Sequence, residues 1–318
     1  MSVRRGKDAQ NYNFIGMIFR ITLVITAMVF GFGIMDTVYA QISVGDAPQK
    51  NIDVFIEDDG KIHVIHHIGD DDSPRSLTLI EGTASNIKVS DEEGNEVQSA
   101  ITGGFGNTLV TIFPTRDDTF VSYDLEDVMF KKHNTTWTWH FLYSRTTTFH
   151  MPDSVDLVFV NDRPIYLKDG ENINCHGCDM VLEFIPDEKK ITQQISWEDK
   201  EFDVEIWAST DITELSLDQP AKNISYVFDD SERWVTLIIP LELLWNPYQA
   251  WLDDEKIFTH EFGVDEKHRG ISLKLKEAGT VSIIGTSVVP EFSAIIPIML
   301  VMISAVLLLQ FRSRIILR

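Results

Sequence analysis

The residues best suited to chemistry are Cys175-His176-Gly177-Cys178, which contain both cysteines of the chain. In an oxidising compartment, Cys175 and Cys178 would form a disulfide that pins a local turn, and closing so short a loop stabilises a fold by roughly 2 kcal/mol at best. Alternatively, Cys175, His176 and Cys178 are soft ligands suited to copper or zinc. Thiol redox exchange is a third reading, although no βαβ pattern surrounds the motif. The disulfide is the favoured prediction.

Three histidines in a segment with strand-like alternation form a second group with ligand chemistry. Because side chains alternate between the two faces of a strand, His63 and His67 would share one face and His66 would point to the other. His63 and His67 could therefore form a copper or zinc patch. Exposed histidines without a ligand are the favoured alternative. A single site with Cys175 and His176 would require the fold to bring the two segments together.

Acidic loops are frequent and offer the oxygen ligands that calcium prefers. None has the spacing of a dedicated calcium loop, so we expect solvated turns and a diffuse attraction of cations. The loops are Asp58-Asp59, Asp70-Asp71-Asp72, Asp91-Glu92-Glu93 and Asp229-Asp230.

Two further patterns concern sugars. Asn134-Thr135-Thr136 and Asn223-Ile224-Ser225 are acceptor sequences for N-linked glycans, which predicts glycosylation at Asn134 and Asn223. Tryptophans could form a carbohydrate platform, but most stand in or beside strand candidates, which favours core packing. The tryptophans are Trp137, Trp139, Trp197, Trp207, Trp234, Trp245 and Trp251.

No catalytic motif accompanies these patterns. The sequence contains no recognisable Ser-His-Asp order, glycine-rich phosphate loop or His-Glu-x-x-His motif. We therefore predict no catalytic residues and no cofactor, apart from the copper or zinc hypothesis at the cysteines.

The elements that must position these residues are short strands. Apolar or alternating segments, separated by clusters of Gly, Pro, Asn and Asp, outnumber the seven to nine strands of one sandwich. The turn Asp58-Asp59-Gly60 between two such segments predicts a β-hairpin. We predict an all-β fold with two antiparallel β-sandwich-like domains, residues 41–188 and 189–289. The boundary falls in the polar stretch 186–190.

Both ends of the chain differ from this pattern. Residues 1–40 have a basic start, an apolar middle and a small final residue, which predicts a secretory signal peptide; an uncleaved signal anchor is the alternative. Residues 290–318 contain an apolar stretch, 292–311, that is long enough to span a bilayer as a transmembrane helix. The arginines that follow predict a short cytoplasmic tail and a body that faces outward. They are Arg312, Arg314 and Arg318.

The charge distribution follows the same division. The chain has 27 basic and 49 acidic residues and a net charge of −22. Its two ends hold seven of the basic and three of the acidic residues, which leaves 20 and 46 for residues 41–289 and a net charge of −26. Such a body attracts cations and repels the phosphates of nucleic acid, which excludes nucleic acid as a partner.

Pro290-Glu291-Phe292, directly before the apolar stretch and its basic end, resembles the PEF-type carboxy-terminal sorting signal of archaeal surface proteins. The resemblance implies a sorting enzyme that removes the tail and transfers the protein to another anchor. Residues 195–292 are similar to a β module of archaeal surface proteins, in which a strand ends in Ile-Pro, here Ile239-Pro240, before a short Leu-Leu turn. The whole body looks like a thaumarchaeal-type surface family, and this resemblance brings no known catalytic residues.

Two functions are consistent with these observations. The favoured one is a non-enzymatic, membrane-anchored cell-surface protein whose acidic β-sandwich ectodomain has a structural or recognition role in the envelope. Its expected partners are the membrane, other envelope proteins, a sorting enzyme and diffuse cations. The alternative is an extracytoplasmic copper, zinc or thiol redox protein that uses the Cys-His-Gly-Cys motif.

Overall fold

The computed structural model describes residues 44–288, apart from 105, 169, 171 and 198, together with residues 299–305. The elements within residues 44–288 are strands, which confirms the all-β prediction. Residues 299–305 are helical, and no helix among the described residues is long and apolar enough to cross a membrane. The predicted signal segment, the sorting motif Pro290-Glu291-Phe292 and most of the predicted span lie outside the described residues.

The strands fall into a first half, β1 to β13, and a second half, β14 to β25. The first half consists of β1 (Gly45–Asp46), β2 (Gln49–Ile56), β3 (Ile62–Ile68), β4 (Arg75–Thr78), β5 (Thr83–Asp91), β6 (Ser99–Gly104), β7 (Asn107–Ile112), β8 (Thr119–Glu126), β9 (Met129–Lys132), β10 (Thr136–His150), β11 (Leu157–Val160), β12 (Arg163–Tyr166) and β13 (Ile173–Phe184). The second half consists of β14 (Lys190–Trp197), β15 (Lys200–Ala208), β16 (Ile212–Asp218), β17 (Asn223–Phe228), β18 (Arg233–Pro240), β19 (Leu244–Trp245), β20 (Gln249–Leu252), β21 (Glu255–Ile257), β22 (His260–Gly263), β23 (His268–Leu275), β24 (Gly279–Ile284) and β25 (Ser287–Val288).

The first half contains two sheets that share one apolar core. The smaller sheet has the order β1-β4-β7-β6, and the larger has the order β12-β11-β13-β10-β2-β3-β8-β5, with β9 paired to β10. Buried residues of the smaller sheet, such as Leu77 and Val110, belong to the same cluster as Val54, Val121 and Phe149 of the larger sheet. The two sheets therefore bury their apolar faces against each other in a sandwich-like arrangement.

Local sequence accounts for the centre of the larger sheet. β2 and β3 form the predicted hairpin, and Gly60 in its turn has a φ of +84°, which glycine adopts without strain. A Cβ atom at Gly60 would also clash with the Trp137 ring. β3 alternates buried and partly exposed residues along its length, so one face packs on the core and the other faces outward.

Two strand pairs depart from the antiparallel prediction. β1 pairs with β4, and β10 pairs with β2, in parallel. Parallel neighbours need a long connection, and most of the first half lies between β2 and β10 along the chain. Local turn patterns, on which the antiparallel prediction relied, contain no information about such a pairing.

The second half has two five-stranded sheets, β14-β15-β18-β23-β22 and β16-β17-β24-β20-β21, and a short pair of β19 with β25. Its core combines residues of both sheets, for example Val204 and Leu237 with Tyr226 and Val281. The central strand β18 is buried over nearly its whole length. This burial explains why Thr236 alone interrupts the apolar run 234–239 in its sequence, since strands covered on both faces do not alternate with polar residues.

A third apolar cluster joins the two halves. Phe159 of β11 stacks on Trp234 of β18 with ring centroids 3.8 Å apart, and Trp207 and Ile238 of the second half belong to the same cluster. Alternate residues of β18 therefore face the first half and the core of the second half. The predicted boundary, residues 186–190, lies between β13 and β14, and the division into two domains stays a prediction.

Candidate functional site

The cysteine motif lies within β13, where that strand pairs with β10. Tyr143 is the partner of Cys178 and Thr147 is the partner of Cys175, with a register shift between them that marks a β-bulge. Gly177 has a φ of +70° at this irregularity. The sulfur atoms of the two cysteines lie at disulfide distance, with their Cα atoms 6.0 Å apart. The motif thus lies at a bulge inside a strand and not in the turn that the sequence suggested.

The side chains of the motif have different environments. Cys175 is buried in the core of the first half, whereas His176 is exposed and its Nδ1 lies 3.2 Å from the Thr146 hydroxyl. Across the part of the chain that the structure describes, no group of three or more His, Cys, Asp or Glu side chains is placed to hold a metal ion. Copper or zinc binding by Cys175, His176 and Cys178 stays a prediction.

His66 lies on the inner face of β3 and is fully buried, so the expectation of an exposed histidine is wrong for this residue. Its Nε2 accepts a hydrogen bond from the Tyr123 hydroxyl (3.0 Å), and its Nδ1 donates to Gln49 Oε1 (2.9 Å). The Tyr123 hydroxyl also accepts the backbone N–H of Ile80, just after β4 of the smaller sheet (3.1 Å). Burial lowers the pKa of His66 to about 3, so the ring is neutral at pH 7. A buried polar network thus ties the two sheets together.

His63 and His67 lie on the outer face of β3, as predicted, and each is paired with a carboxylate. His63 Nδ1 is 2.8 Å from Asp124 Oδ1, and His67 Nε2 is 2.7 Å from Asp118 Oδ2. A third histidine, His150 of β10, contacts a carboxylate in the same way at 2.9 Å. The outer face is therefore lined with histidine–aspartate pairs, and the two-histidine metal patch stays a prediction.

The cysteine and histidine groups are not brought into one site. β10 and β2 separate β13 from β3 in the larger sheet. The strand registers place Cys175, Thr147, Ile52 and His66 in one row across these four strands. At about 4.8 Å per strand spacing, Cys175 and His66 are roughly 14 Å apart.

Each acidic loop has a carboxylate with a hydrogen-bond partner in its own turn, namely Asp59, Asp71, Asp91 or Asp230. Asp71 Oδ1 accepts the N–H of Ser73 at 2.7 Å, and Asp91 Oδ1 accepts the N–H of Asn95 at 2.8 Å. The side chain of Asn95 contributes most to holding the pKa of Asp91 below its usual value. These contacts fit the expected solvated turns, in which aspartate caps a change of chain direction.

The two glycosylation sequences lie in different settings. Asn134 is exposed in the turn between β9 and β10 and has a φ of 63°. Asn223 begins β17, between β16 and β24, and its Oδ1 is buried without a hydrogen-bond partner among the described residues. In the folded chain Asn134 is more accessible to a modifying enzyme than Asn223. Glycosylation at either site stays a prediction.

The tryptophans mostly pack against the cores. Trp139, Trp207 and Trp234 are buried, and three others are partly buried. Trp245 is the exposed one of the seven, all of which the structure describes, with 53% of its surface accessible. These positions agree with core packing rather than with a row of aromatic rings on the surface.

Glu183 is a buried carboxylate that the sequence patterns did not reveal. Its oxygens accept hydrogen bonds from Lys132 Nζ (2.5 Å), Trp234 Nε1 (3.2 Å) and Lys274 Nζ (3.3 Å). Burial alone would raise the pKa of Glu183, but these donors and the two ammonium charges hold it below its usual value. Since Lys132 belongs to the first half and the other two donors to the second, this carboxylate joins the halves.

A groove of about 550 Å³ beside the β2–β3 hairpin is lined by more acidic than basic side chains. Trp137 and Met129 supply apolar walls, and Lys61 and His63 are its basic residues. Its carboxylates belong to Glu57, Asp59, Asp124, Glu126 and Asp127. The groove is suited to attract cations, in line with the net charge of the body.

No protein-family model matches this chain, and no curated protein matches it in sequence. The resemblance of residues 195–292 and of the Pro-Glu-Phe motif to archaeal surface proteins stays a prediction that rests on those residues. Any function must therefore be argued from the residues of this chain.

Proposed function

We propose that this chain is a non-enzymatic surface protein, held in a membrane by residues 292–311, whose acidic β body lies outside the cell. The body, residues 41–289, would consist of two β-sandwich-like domains with a structural or recognition role in the envelope. Residues 1–40 would direct its export, and Pro290-Glu291-Phe292 would be read by a sorting enzyme.

The observation that carries this proposal is the setting of Trp245, where the described body ends. Trp245 lies in β19, which pairs with β25 (Ser287–Val288), and its carbonyl accepts the N–H of Thr286 at 2.8 Å. The apolar stretch begins four residues after β25. Tryptophan is enriched at membrane–water interfaces, because its ring is apolar and its indole N–H is polar. An exposed tryptophan beside the chain that leads into an apolar, arginine-flanked stretch supports a body seated close to a bilayer.

The contacts between the halves support a mechanical or recognition role. The stacked pair Phe159 and Trp234, together with the buried Glu183, fixes the first half against the second. A body held in this way presents its surfaces in a constant relative geometry, which suits attachment to neighbouring envelope components.

The proposed anchor is tested by truncation. A chain that ends after residue 289 should appear in the soluble or secreted fraction, because it lacks the apolar stretch. The matched control ends after residue 311 and lacks only the basic tail, and it should remain with the membrane. Fractionation with alkaline carbonate, followed by immunoblotting, measures both. Release of the control as well as the shorter chain, or retention of the shorter chain, would contradict the proposed anchor.

A further inference from the structure

A second cavity lies at the edge of the contact between the halves. Its volume is about 540 Å³. On one side is the β11–β12 hairpin, whose turn residues Asn161 and Asp162 both have positive φ, and on the other are the β20–β21 hairpin and the end of β23. We call this cavity the junction pocket.

The junction pocket has an unusual charge balance for this molecule. Four basic side chains line it, from Arg163, Lys256, Lys274 and Lys276, against the three carboxylates of residues 162, 255 and 277. The body as a whole has 46 acidic and 20 basic residues. A pocket in which bases outnumber acids is therefore an exception on an acidic surface, and anions are attracted to it locally.

Two of these cations are available to a ligand. Lys274 is already bound to Asp162 Oδ1 at 2.5 Å and to Glu183 Oε2 at 3.3 Å. Arg163 and Lys276, in contrast, form no ion pair with any carboxylate that the structure describes, and both side chains line the cavity. Arginine binds carboxylate and sulfate groups with two parallel hydrogen bonds, and lysine adds a point charge.

An exposed aromatic ring stands beside these charges. Phe258 has 77% of its surface accessible, which is more than any other large hydrophobic residue in the described part of the chain. Its ring meets that of His260 edge-on, with centroids 4.6 Å apart. Phenylalanine has no polar group that water could bind, so an accessible ring in a cavity offers a stacking surface for an apolar ring face.

His260 adds a neutral hydrogen-bonding group. Burial contributes most to lowering its pKa, and the charge of Arg163 lowers it further. At pH 7 the ring is therefore uncharged, and it offers one donor and one acceptor to a hydroxyl group. A neutral histidine, an accessible phenyl ring and two free cations together match a ring that carries hydroxyl groups and an acidic group.

We propose that the junction pocket binds an acidic glycan, with a sugar ring stacked on Phe258 and its carboxylate or sulfate group held by Arg163 and Lys276. A negative residue of an envelope polysaccharide is the class of ligand. The inference deepens the proposed surface role, because it names what the body recognises.

The test uses the full chain purified in detergent and trigalacturonic acid as the probe, with binding measured by calorimetry at physiological salt. Maltotriose has sugar rings without the acid and should bind at least about tenfold more weakly, as expected when about 1.4 kcal/mol is lost. Phe258→Ala and Lys276→Glu should each weaken trigalacturonate binding by a similar factor. Phe130→Ala and Lys200→Glu alter an exposed phenylalanine and an exposed lysine outside the pocket, and they should leave binding unchanged.

Several results would overturn the proposal. They are the absence of binding at millimolar trigalacturonate, equal binding of maltotriose, or equal effects of the pocket variants and their controls. Equal competition by triglutamate would replace the glycan by an acidic peptide and would also overturn it. Unchanged thermal unfolding of the variants shows that they are folded. Because the measurement uses purified protein, its failure is separate from a failure of the proposed membrane location.

Discussion

Two buried polar centres, around His66 and around Glu183, join their surroundings by opposite means. Around His66, neutral groups are linked by hydrogen bonds from Tyr123 and to Gln49, and the Tyr123 hydroxyl also accepts the N–H of Ile80, just after β4 of the smaller sheet. Around Glu183, charged groups tie the first half to the second. The His66 centre contains no buried charge that needs a counter-charge. The Glu183 centre contains a buried negative charge that Lys132 and Lys274 neutralise.

The difference shows how burial acts on titratable groups. His66 has no carboxylate among its hydrogen-bond partners, so burial dominates and lowers its pKa to about 3. Glu183 is almost as inaccessible, yet its cationic neighbours outweigh the effect of burial and lower its pKa. The chemistry of the partners, more than depth alone, decides which protonation state the fold retains.

The largest expected effect comes from Glu183→Gln, which removes the buried negative charge. Lys132 then lacks its carboxylate, and we expect the free energy of unfolding to fall by about 3 kcal/mol, the lower end of the range for breaking a buried ion pair, because Glu183 is buried but the lysines are partly exposed. Urea unfolding measures this loss. Faster proteolysis within residues 186–190 would indicate that the contact between the halves is weakened.

The matched control for this variant is Asp162→Asn. Asp162 also contacts Lys274, but it is exposed, so its loss should cost less than about 1 kcal/mol. Equal effects of the two substitutions would mean that burial adds nothing to the Glu183 contacts.

The His66 centre predicts a pH dependence that the Glu183 centre does not share. The unfolded chain binds a proton at this histidine below about pH 6.5, whereas the folded chain does not until about pH 3. Above pH 6.5 both states leave His66 neutral, so the free energy of unfolding keeps its full value. As the pH falls below 6.5, the unfolded chain takes up the proton first, and the free energy of unfolding decreases. Between pH 6.5 and 5 the loss is about 2 kcal/mol.

His66→Gln, which cannot take up the proton, should flatten this slope when urea unfolding is repeated at pH 7, 6 and 5. The lowered pKa of Glu183 changes the free energy of unfolding only below about pH 4.5, where the carboxylate of the unfolded chain becomes protonated. The same pH slope in wild type and His66→Gln would contradict a neutral buried histidine.

The last effect is expected at the cysteines. Replacing both Cys175 and Cys178 by serine removes a constraint on a loop of four residues, which is worth up to about 2 kcal/mol in the unfolded state. Neither polar centre includes these side chains, so the pH slope should be unchanged. Labelling of native protein with a thiol reagent checks the pairing itself, and reactive thiols without a reductant would contradict it.

Local sequence predicted the elements whose signals are local. The β2–β3 hairpin followed from Asp58-Asp59-Gly60, and the position of His66 on the opposite face of β3 from His63 and His67 followed from strand alternation. The burial of His66 did not follow, because exposed histidines were expected. Local sequence does not indicate the full extent of β10 and β13, because the polar residues 144–145 and 174–177 resemble loop sequence. Pairing of the two strands across a bulge keeps both segments in the sheet.

The candidate sites depend on contacts between distant segments. Glu183 meets Lys132 and Lys274, which no spacing rule connects to it. The sequence alone favours one strand over residues 257–262, with Phe258 inside it, but the chain leaves one sheet at Ile257 and enters the other at His260. The ring at this crossing point is exposed, which sequence alternation could not indicate.

The outward orientation of the body is tested most directly by protease added to intact cells that express the full chain. Export and a C-terminal anchor predict that an antibody against residues 41–289 loses its signal while a cytoplasmic marker persists. Protection of the body until the cells are lysed would contradict the account.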